Sequence, residues 1–151
     1  MIGCNPSTAD GEKDDRTISK LINMAKYKRY GGLYMGNLYA YRETSPAEMK
    51  KIAEAWGFDY LIGGTYNDRA LETMADQASV VVFAYGEIAM KGWGGKLKND
   101  IAWAHAKKVF EMMKAKKGTV WAFNLTDKNY PEHPLYIKDL NTIPWKELTS
   151  V

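Results

Sequence analysis

The start of the chain places polar side chains where an α/β protein would hold a ligand. An apolar opening gives way to Asn5, Pro6 and two hydroxyl residues, Ser7 and Thr8. This order is typical of a buried strand that ends in a loop and leads into a helix. Because Pro6 restricts the backbone before it, the Asn5 side-chain amide can be held in one direction. The residues are therefore suited to a polar or anionic ligand, although by themselves they are also typical of a common Asx-Pro turn without a ligand.

Near the other end of the chain, His133 is the second candidate for chemistry. A neutral histidine can donate a hydrogen bond and has a pKa near the working pH, and Pro134 restricts the backbone that carries it. A histidine on a surface loop is the alternative. His105 is different, because it falls on or near the packed face of a long predicted helix, which favours a structural role.

Several other residues could bind a ligand. Asp10 could hold a metal or a sugar hydroxyl or cap a helix, and Arg42 could hold a phosphate or form a surface ion pair. Trp93, between glycines, is either a stacking platform or a cover over the core. The candidate ligand-binding residues are Pro6, Ser7, Thr8, Asp10, Asn37, Tyr39, Tyr41, Arg42, Tyr85, Gly86, Trp93 and Tyr136.

Composition describes a globular protein of one domain, residues 1–151. Hydrophobic residues make up 46% and charged residues 26% of the chain, and no apolar run reaches the roughly 20 residues of a membrane span. The start of the chain lacks a secretory signal, so we expect a cytoplasmic protein. Cys4 is the single cysteine and is expected to be inert, and one cysteine with two histidines does not favour a metal site.

The pattern of apolar segments predicts the elements that position these residues. Buried strands are predicted over residues 1–4, 33–39, 79–85 and 119–125, with helices between them and a loop over 57–65. We therefore expect a three-layer α/β fold with a mostly parallel four-stranded sheet and helices on both faces. Because parallel strands end at one edge, the loops with Asn5, Asn37, Tyr85 and His133 should meet there.

Two of the helices have strong sequence signals. Ser45, Pro46 and Glu48 form the cap, first-turn proline and capping-box acid of a helix start. The longest helix is predicted over about residues 99–116 and ends before Gly118. Its apolar side chains are expected to be Ile101, Ala104, Val109, Met112 and Met113.

Six motifs along the chain resemble a known family. They are NPSTAD, DDRT, NLYAYRETSP, YND, a strand that ends in Tyr-Gly, and HPLYI. Their order and spacing are similar to the bacterial and phage family called domain of unknown function 1643, over nearly the whole chain. Members of that family usually carry a segment ahead of the Asn-Pro motif. The resemblance therefore implies a first strand that is either short or begins ahead of Met1.

Three segments also resemble, more distantly, the uracil-DNA glycosylase superfamily. GCNPS looks like its Gly-x-Asn-Pro-Gly motif, VVVFAYGEIA like its third strand, and HPLYI like its terminal His-Pro-Ser motif. The resemblance implies a nucleobase pocket in which Asn5 positions the attacking water and His133 bonds a pyrimidine carbonyl. An aromatic ring would stack on the base, from Tyr39, Tyr41 or Tyr85.

These residue types suit cleavage of an N-glycosidic bond, which needs an oxygen to orient water and a donor facing the base carbonyl. We expect a glycosylase-like enzyme without a cofactor; the alternative is a non-catalytic protein that sequesters a nucleotide-derived ligand. The expected partners are a nucleotide, a nucleobase or single-stranded nucleic acid, and exposed aromatic residues make a homodimer conceivable. Ser7 and Leu135 depart from the glycosylase motifs, which argues against action on duplex DNA.

Overall fold

The described part of the protein contains one sheet of five short strands. The computed structural model describes residues 1–6, 16–43, 45–91 and 99–151. The strands are β1 (Ile2–Gly3), β2 (Gly36–Asn37), β3 (Val82–Phe83), β4 (Trp121–Ala122) and β5 (Lys146–Glu147). Their order is β2-β1-β3-β4-β5, with β1 to β4 parallel and β5 antiparallel to β4.

The sequence predicted four strands, so the predicted number is one too few. The additional strand, β5, lies at the edge of the sheet, and both of its side chains, Lys146 and Glu147, are exposed. Charged residues are common on edge strands, where they discourage further pairing. The strand carries no apolar alternation, so the sequence pattern did not mark it.

Helices connect the strands, as expected for a mixed α/β protein. They are α1 (Arg16–Tyr27), α2 (Pro46–Trp56), α3 (Phe58–Ile62), α4 (Gly64–Gln77), α5 (Ile88–Lys91) and α6 (Asn99–Lys117). Within the described ranges, no helix is long and apolar enough to cross a membrane.

The start of α2 confirms the capping prediction. The Ser45 hydroxyl accepts a hydrogen bond from the Glu48 backbone amide at 3.4 Å, and Pro46 is the first helical residue.

The prediction of a loop over residues 57–65 is wrong, because α3 and the start of α4 occupy these positions. Gly57 and Gly63 have φ values of 90° and 73° there, which let the chain turn between successive helices.

The sheet is covered on both faces. Val81, Phe83 and Tyr85 belong to one buried cluster with side chains of α2, α4 and α6. Val82 and Ala84 belong to a second cluster with α1 and the C-terminal segment. Because successive side chains of a strand point to opposite faces, this alternation places helices on the two sides of the sheet.

Helix α6 packs on the sheet through a face that differs in part from the predicted one. Val109 and Met113 are buried as expected, but Ile101 and Ala104 are exposed. His105 is buried, and its Nε2 lies 2.7 Å from the Leu38 carbonyl oxygen. The structural role predicted for His105 is therefore confirmed.

Candidate functional site at the carboxyl ends of the strands

The strand order creates a crevice beside β1. From β1 the chain passes to β2 on one side, whereas β3 lies on the other side of β1. In open α/β sheets, ligands bind at such a switch point, beyond the carboxyl ends of the strands. A cleft of about 660 Å³, here called the main cleft, lies there. Its walls are formed by Gly3, Cys4, Asn5, Pro6, Thr17, Ile18, Met35, Asn37, Arg42, Glu43, Ile88, His133 and Leu135.

A second cavity of about 490 Å³ adjoins the main cleft. This side cavity is lined by Gly86, Glu87, Ile88, Thr126, Glu132, His133, Leu135 and Tyr136. Ile88, His133 and Leu135 line both spaces. His133 therefore stands at the junction of two adjoining cavities, one of which also contains Asn5.

The Asn5 side chain is held by backbone carbonyl groups. Its Nδ2 donates hydrogen bonds to the Pro6 carbonyl at 3.2 Å and to the Glu43 carbonyl. The Glu43 amide in turn donates to the Pro6 carbonyl at 3.2 Å, which joins the two loops. With both bonds made by Nδ2, the amide leaves Oδ1 as an acceptor that can orient water or a ligand donor.

A tight loop brings His133 to the end of β3. Thr126 and Tyr130 close the loop, and the Glu132 amide donates to the Asn124 carbonyl at 2.9 Å. The Gly86 amide then donates to the Pro131 carbonyl at 2.9 Å, which joins the loop to the end of β3.

The imidazole of His133 caps a short 3₁₀ helix (Pro134–Tyr136). Its Nδ1 accepts a hydrogen bond from the Leu135 amide at 3.3 Å. When Nδ1 is an acceptor, the hydrogen of a neutral imidazole is on Nε2. The sequence His-Pro-Leu-Tyr thus builds a turn that sets both the direction and the tautomer of the ring, and Nε2 becomes the donor.

Two amide side chains, Asn67 and Asn37, lie at the end of β2. From α4, Asn67 donates to the carbonyls of Asn37 and Leu38 at 3.1 and 3.3 Å. Asn37 lies over Gly3, where a Cβ atom would come within 2.7 Å of Asn37 Oδ1. That oxygen is buried and has no hydrogen-bond partner among the described residues. Glycine at position 3 therefore allows Asn37 to form part of the cleft wall.

Two further groups set the chemical character of the main cleft. Arg42 is exposed at its wall and provides a cation. Burial raises the pKa of the Cys4 thiol to about 12. The thiol is therefore neutral near pH 7, and Cys4 is not an activated nucleophile.

Three tyrosines predicted to bind a ligand line neither cavity. Tyr39 is fully buried, and its hydroxyl donates to the Ala89 carbonyl at 2.8 Å. Tyr85 is 1% exposed and packs edge-on against Phe83, and burial raises its pKa. The ring of Tyr41 contacts that of Tyr60, with 5.7 Å between the ring centroids. Tyr39 and Tyr85 are core residues here, because helices cover the face of the sheet towards which they point.

The other predicted site residues divide between the two cavities. Pro6, Asn37 and Arg42 line the main cleft, and Gly86 and Tyr136 line the side cavity. Ser7, Thr8, Asp10 and Trp93 lie outside the described residues. Among the residues that the structure describes, no three His, Cys, Asp or Glu side chains are grouped so as to hold a metal ion.

Two carboxylates in the side cavity, Glu87 and Glu132, were not predicted from the sequence. The Glu132 carboxylate accepts a hydrogen bond from Asn124 Nδ2 at 2.7 Å through Oε2. In the sequence, only the position of Glu132 next to His133 could have indicated that Glu132 lines a cavity, because a residue adjacent to a candidate in a tight turn can share its cavity.

A separate cavity of about 530 Å³ lies at the opposite edge of the sheet. Its walls include Met1, Leu33, Tyr34 and Val80, which precede the strands. Ligand sites of open α/β sheets lie at the carboxyl ends of the strands, so we place the candidate site in the main cleft and the side cavity.

Fold and site together define a mixed α/β protein with a candidate ligand cleft at the switch point of a mostly parallel sheet. The family model described as protein of unknown function DUF1643 matches residues 1–135, and the chain belongs to this family. Searches of the curated proteins and of the solved structures found no significant match.

Proposed function

We propose that this protein binds a nucleotide, a nucleobase or a single-stranded nucleic acid in the main cleft and side cavity and cleaves an N-glycosidic bond. The observation that carries the proposal is that Asn5 and His133 line the same cleft. They are 128 positions apart in the sequence, and different loops hold each of them in a defined orientation.

The two side chains match the charges that develop in this reaction. As the bond to the base breaks, the sugar becomes cation-like and the departing base becomes anionic. Asn5 Oδ1 would orient the attacking water, and the Nε2 hydrogen of His133 would bond a carbonyl oxygen of the base. A donor directed at developing negative charge stabilises the transition state more than the ground state.

The positions of three sequence segments around the cavities support a uracil-DNA glycosylase-like fold. The Asn-Pro segment follows β1, the Tyr-Gly segment follows β3, and the His-Pro segment follows the sheet, all around the same two cavities. A free nucleotide or a single strand is the favoured substrate. A base in a duplex would first have to be extruded, at a cost of a few kcal/mol.

A non-catalytic binder is the second candidate, and the chemistry of the main cleft is what favours it. The Cys4 thiol is protonated near pH 7. The Glu43 carboxylate accepts a hydrogen bond from the Ser45 amide at 2.8 Å and acts as a local cap. A protein with this cleft could hold a nucleotide-derived ligand without turnover.

Base release after substitution of Asn5 separates the two candidates. Nucleosides, nucleotides and short single strands are incubated with the protein, and free bases are measured by mass spectrometry. We expect Asn5→Ala to lower the release rate by about 100-fold or more with a small change in Kd, because the lost contact acts mainly in the transition state. Asn23→Ala, at an exposed position of α1 that lines neither cavity, is the matched control. If the unsubstituted protein binds these compounds but releases no free base, the proposal of an enzyme is wrong and the non-catalytic binder is supported.

A further inference from the structure

We infer that the side cavity selects a base that carries both a carbonyl oxygen and an exocyclic amine, which means cytosine or guanine, through the Glu132 carboxylate. This inference rests on the proposed function, because it presupposes that a nucleotide occupies the two adjoining cavities. It adds the class of base and the residue that recognises it.

The charges of the two cavities give a nucleotide a direction. The main cleft contains the Arg42 cation, the amide side chains of Asn5 and Asn37, and the Glu43 carboxylate, which accepts a hydrogen bond from the Ser45 amide. The side cavity contains two carboxylates, Glu87 and Glu132. A phosphate next to the Glu132 carboxylate would be repelled, whereas a guanidinium attracts it. The phosphate therefore belongs in the main cleft, and the base in the side cavity.

The walls of the side cavity suit a flat base. Ile88 and Leu135 contribute apolar surface, and the ring of Tyr136 is 79% exposed. The Tyr136 ring lies 5.9 Å from that of His133, measured between centroids. An exposed aromatic ring beside an apolar wall is the kind of surface on which bases stack.

Glu132 is held so that one carboxylate oxygen is committed to the protein. Oε2 accepts from Asn124 Nδ2 at 2.7 Å, and the Glu132 amide donates to the Asn124 carbonyl at 2.9 Å. Oε1 forms no further hydrogen bond to a described residue. An ionised carboxylate only accepts hydrogen bonds, so the group that it recognises must be a donor.

His133 supplies the complementary requirement from the next position in the chain. Its Nε2 carries the hydrogen, because Nδ1 accepts from the Leu135 amide. Together, a donor and an acceptor in one cavity match a base that has both a carbonyl oxygen and an amine. Uracil has a carbonyl oxygen in place of the cytosine amine, and hypoxanthine lacks the guanine amine. An acceptor that a bound base covers without offering it a donor is costly, so those bases should bind less tightly.

Isothermal titration calorimetry with matched pairs of nucleotides tests this inference. The pairs are the 5′-monophosphates of cytidine and uridine and those of guanosine and inosine. For at least one pair, we expect the amine-bearing member to bind about tenfold more tightly or better. Glu132→Gln should bring that ratio close to one, because an amide can also donate. Glu147→Gln, which removes the same charge from an exposed position of β5, should leave the ratio unchanged.

Each outcome decides a different point. Binding of both members of each pair with equal affinity would overturn the inference and still support the proposed function. A preference that survives in Glu132→Gln would overturn the role of Glu132. No binding of any monophosphate would overturn the inference together with a nucleotide-binding function.

Discussion

The missing side chain of Gly86 leaves room for His133. Gly86 has a φ of 73°, and a Cβ atom there would come within 3.1 Å of the His133 Cβ. The backbone amide of Gly86 also bonds the loop that carries His133. A glycine at the end of β3 therefore serves two purposes, because it permits the turn and it admits the candidate catalytic side chain.

Substitution of Gly86 by alanine should separate these two effects. We expect Gly86→Ala to lower the free energy of unfolding by about 1–2 kcal/mol, because alanine disfavours a positive φ. It should also shift the NMR resonances of the His133 imidazole. Gly118→Ala is the control, since Gly118 has a φ of 71° and open space around its Cβ position. The control should lose similar stability without a shift at His133, and equal shifts in both variants would contradict this account.

Cys4 lines the main cleft and yet should react slowly. Burial raises the pKa of its thiol to about 12, and the reactive species is the thiolate. At pH 7.5 we expect a thiol reagent to modify the native protein far more slowly than the denatured protein. Absorbance with a chromogenic disulfide measures both rates. Rapid modification of the native protein would show that the thiol is activated.

Among the helices and strands, α6 is linked to the end of β2 by a hydrogen bond from a histidine side chain. His105 bonds the Leu38 carbonyl at 2.7 Å and packs against the rings of Tyr39 and Phe58. Burial lowers the pKa of His105, and this effect outweighs the net influence of the Leu38 bond and the nearby charges of Asp68, Asp59 and Lys108. The neutral form is therefore the one that the folded protein prefers.

The stability of the protein should decrease in mild acid because of His105. Below its ordinary pKa of about 6.5, His105 in the unfolded chain takes up a proton that the folded state disfavours. The free energy of unfolding should therefore fall as the pH decreases from 7 to 5, by a smaller amount in His105→Gln. Denaturant titrations at both pH values measure the difference, with His133→Gln as the control. An equal decrease in the unsubstituted protein and His105→Gln would contradict the assignment.

The elements that carry strong local signals could be predicted from the sequence. Ser45 and Pro46 mark the start of α2, and the apolar run over residues 79–85 marks the central strand that contains β3. Edge strand β5 and helix α3 could not be predicted in this way. Their residues form elements because neighbouring segments pack against them, and periodicity does not report such contacts. The same holds for the face of α6, where packing on the sheet buried Ala102 rather than Ile101.

The candidate site could be predicted in part. Asn5 and His133 reach one cleft because each follows a segment that ends at the same edge of the sheet, which is a rule of α/β topology. Tyr39 and Tyr85 also follow strands, but they point towards the face that α2, α4 and α6 cover. Which face a residue at a strand end takes depends on register, and a shift of one position reverses it.

At the scale of the whole molecule, exposed aromatic residues suggest self-association. The side chains of Trp56 and Tyr60 are 71% and 55% exposed, and their ring centroids lie 6.1 Å apart. We propose a homodimer that buries these two rings, because adjoining exposed aromatic side chains can form a contact between copies of the protein. Sedimentation measures the mass of the protein, and Trp56→Ala should weaken the dimer. Tyr66→Ala, at a position that is 85% exposed on α4, is the control. A monomer at all concentrations tested would contradict this expectation.

The most direct test of the nucleotide cleft is a thermal-shift screen of the whole protein. Free bases, nucleosides, nucleotides, cyclic dinucleotides and short single strands are added in turn, and each stabilising compound is recovered and analysed by mass spectrometry. A compound that binds the folded state raises Tm by mass action, whatever reaction follows. We predict that a nucleotide or a single strand raises Tm, less so in Arg42→Gln, and that it is recovered with its base released. If none of these compounds changes Tm, the assignment of this cleft to nucleotides is contradicted.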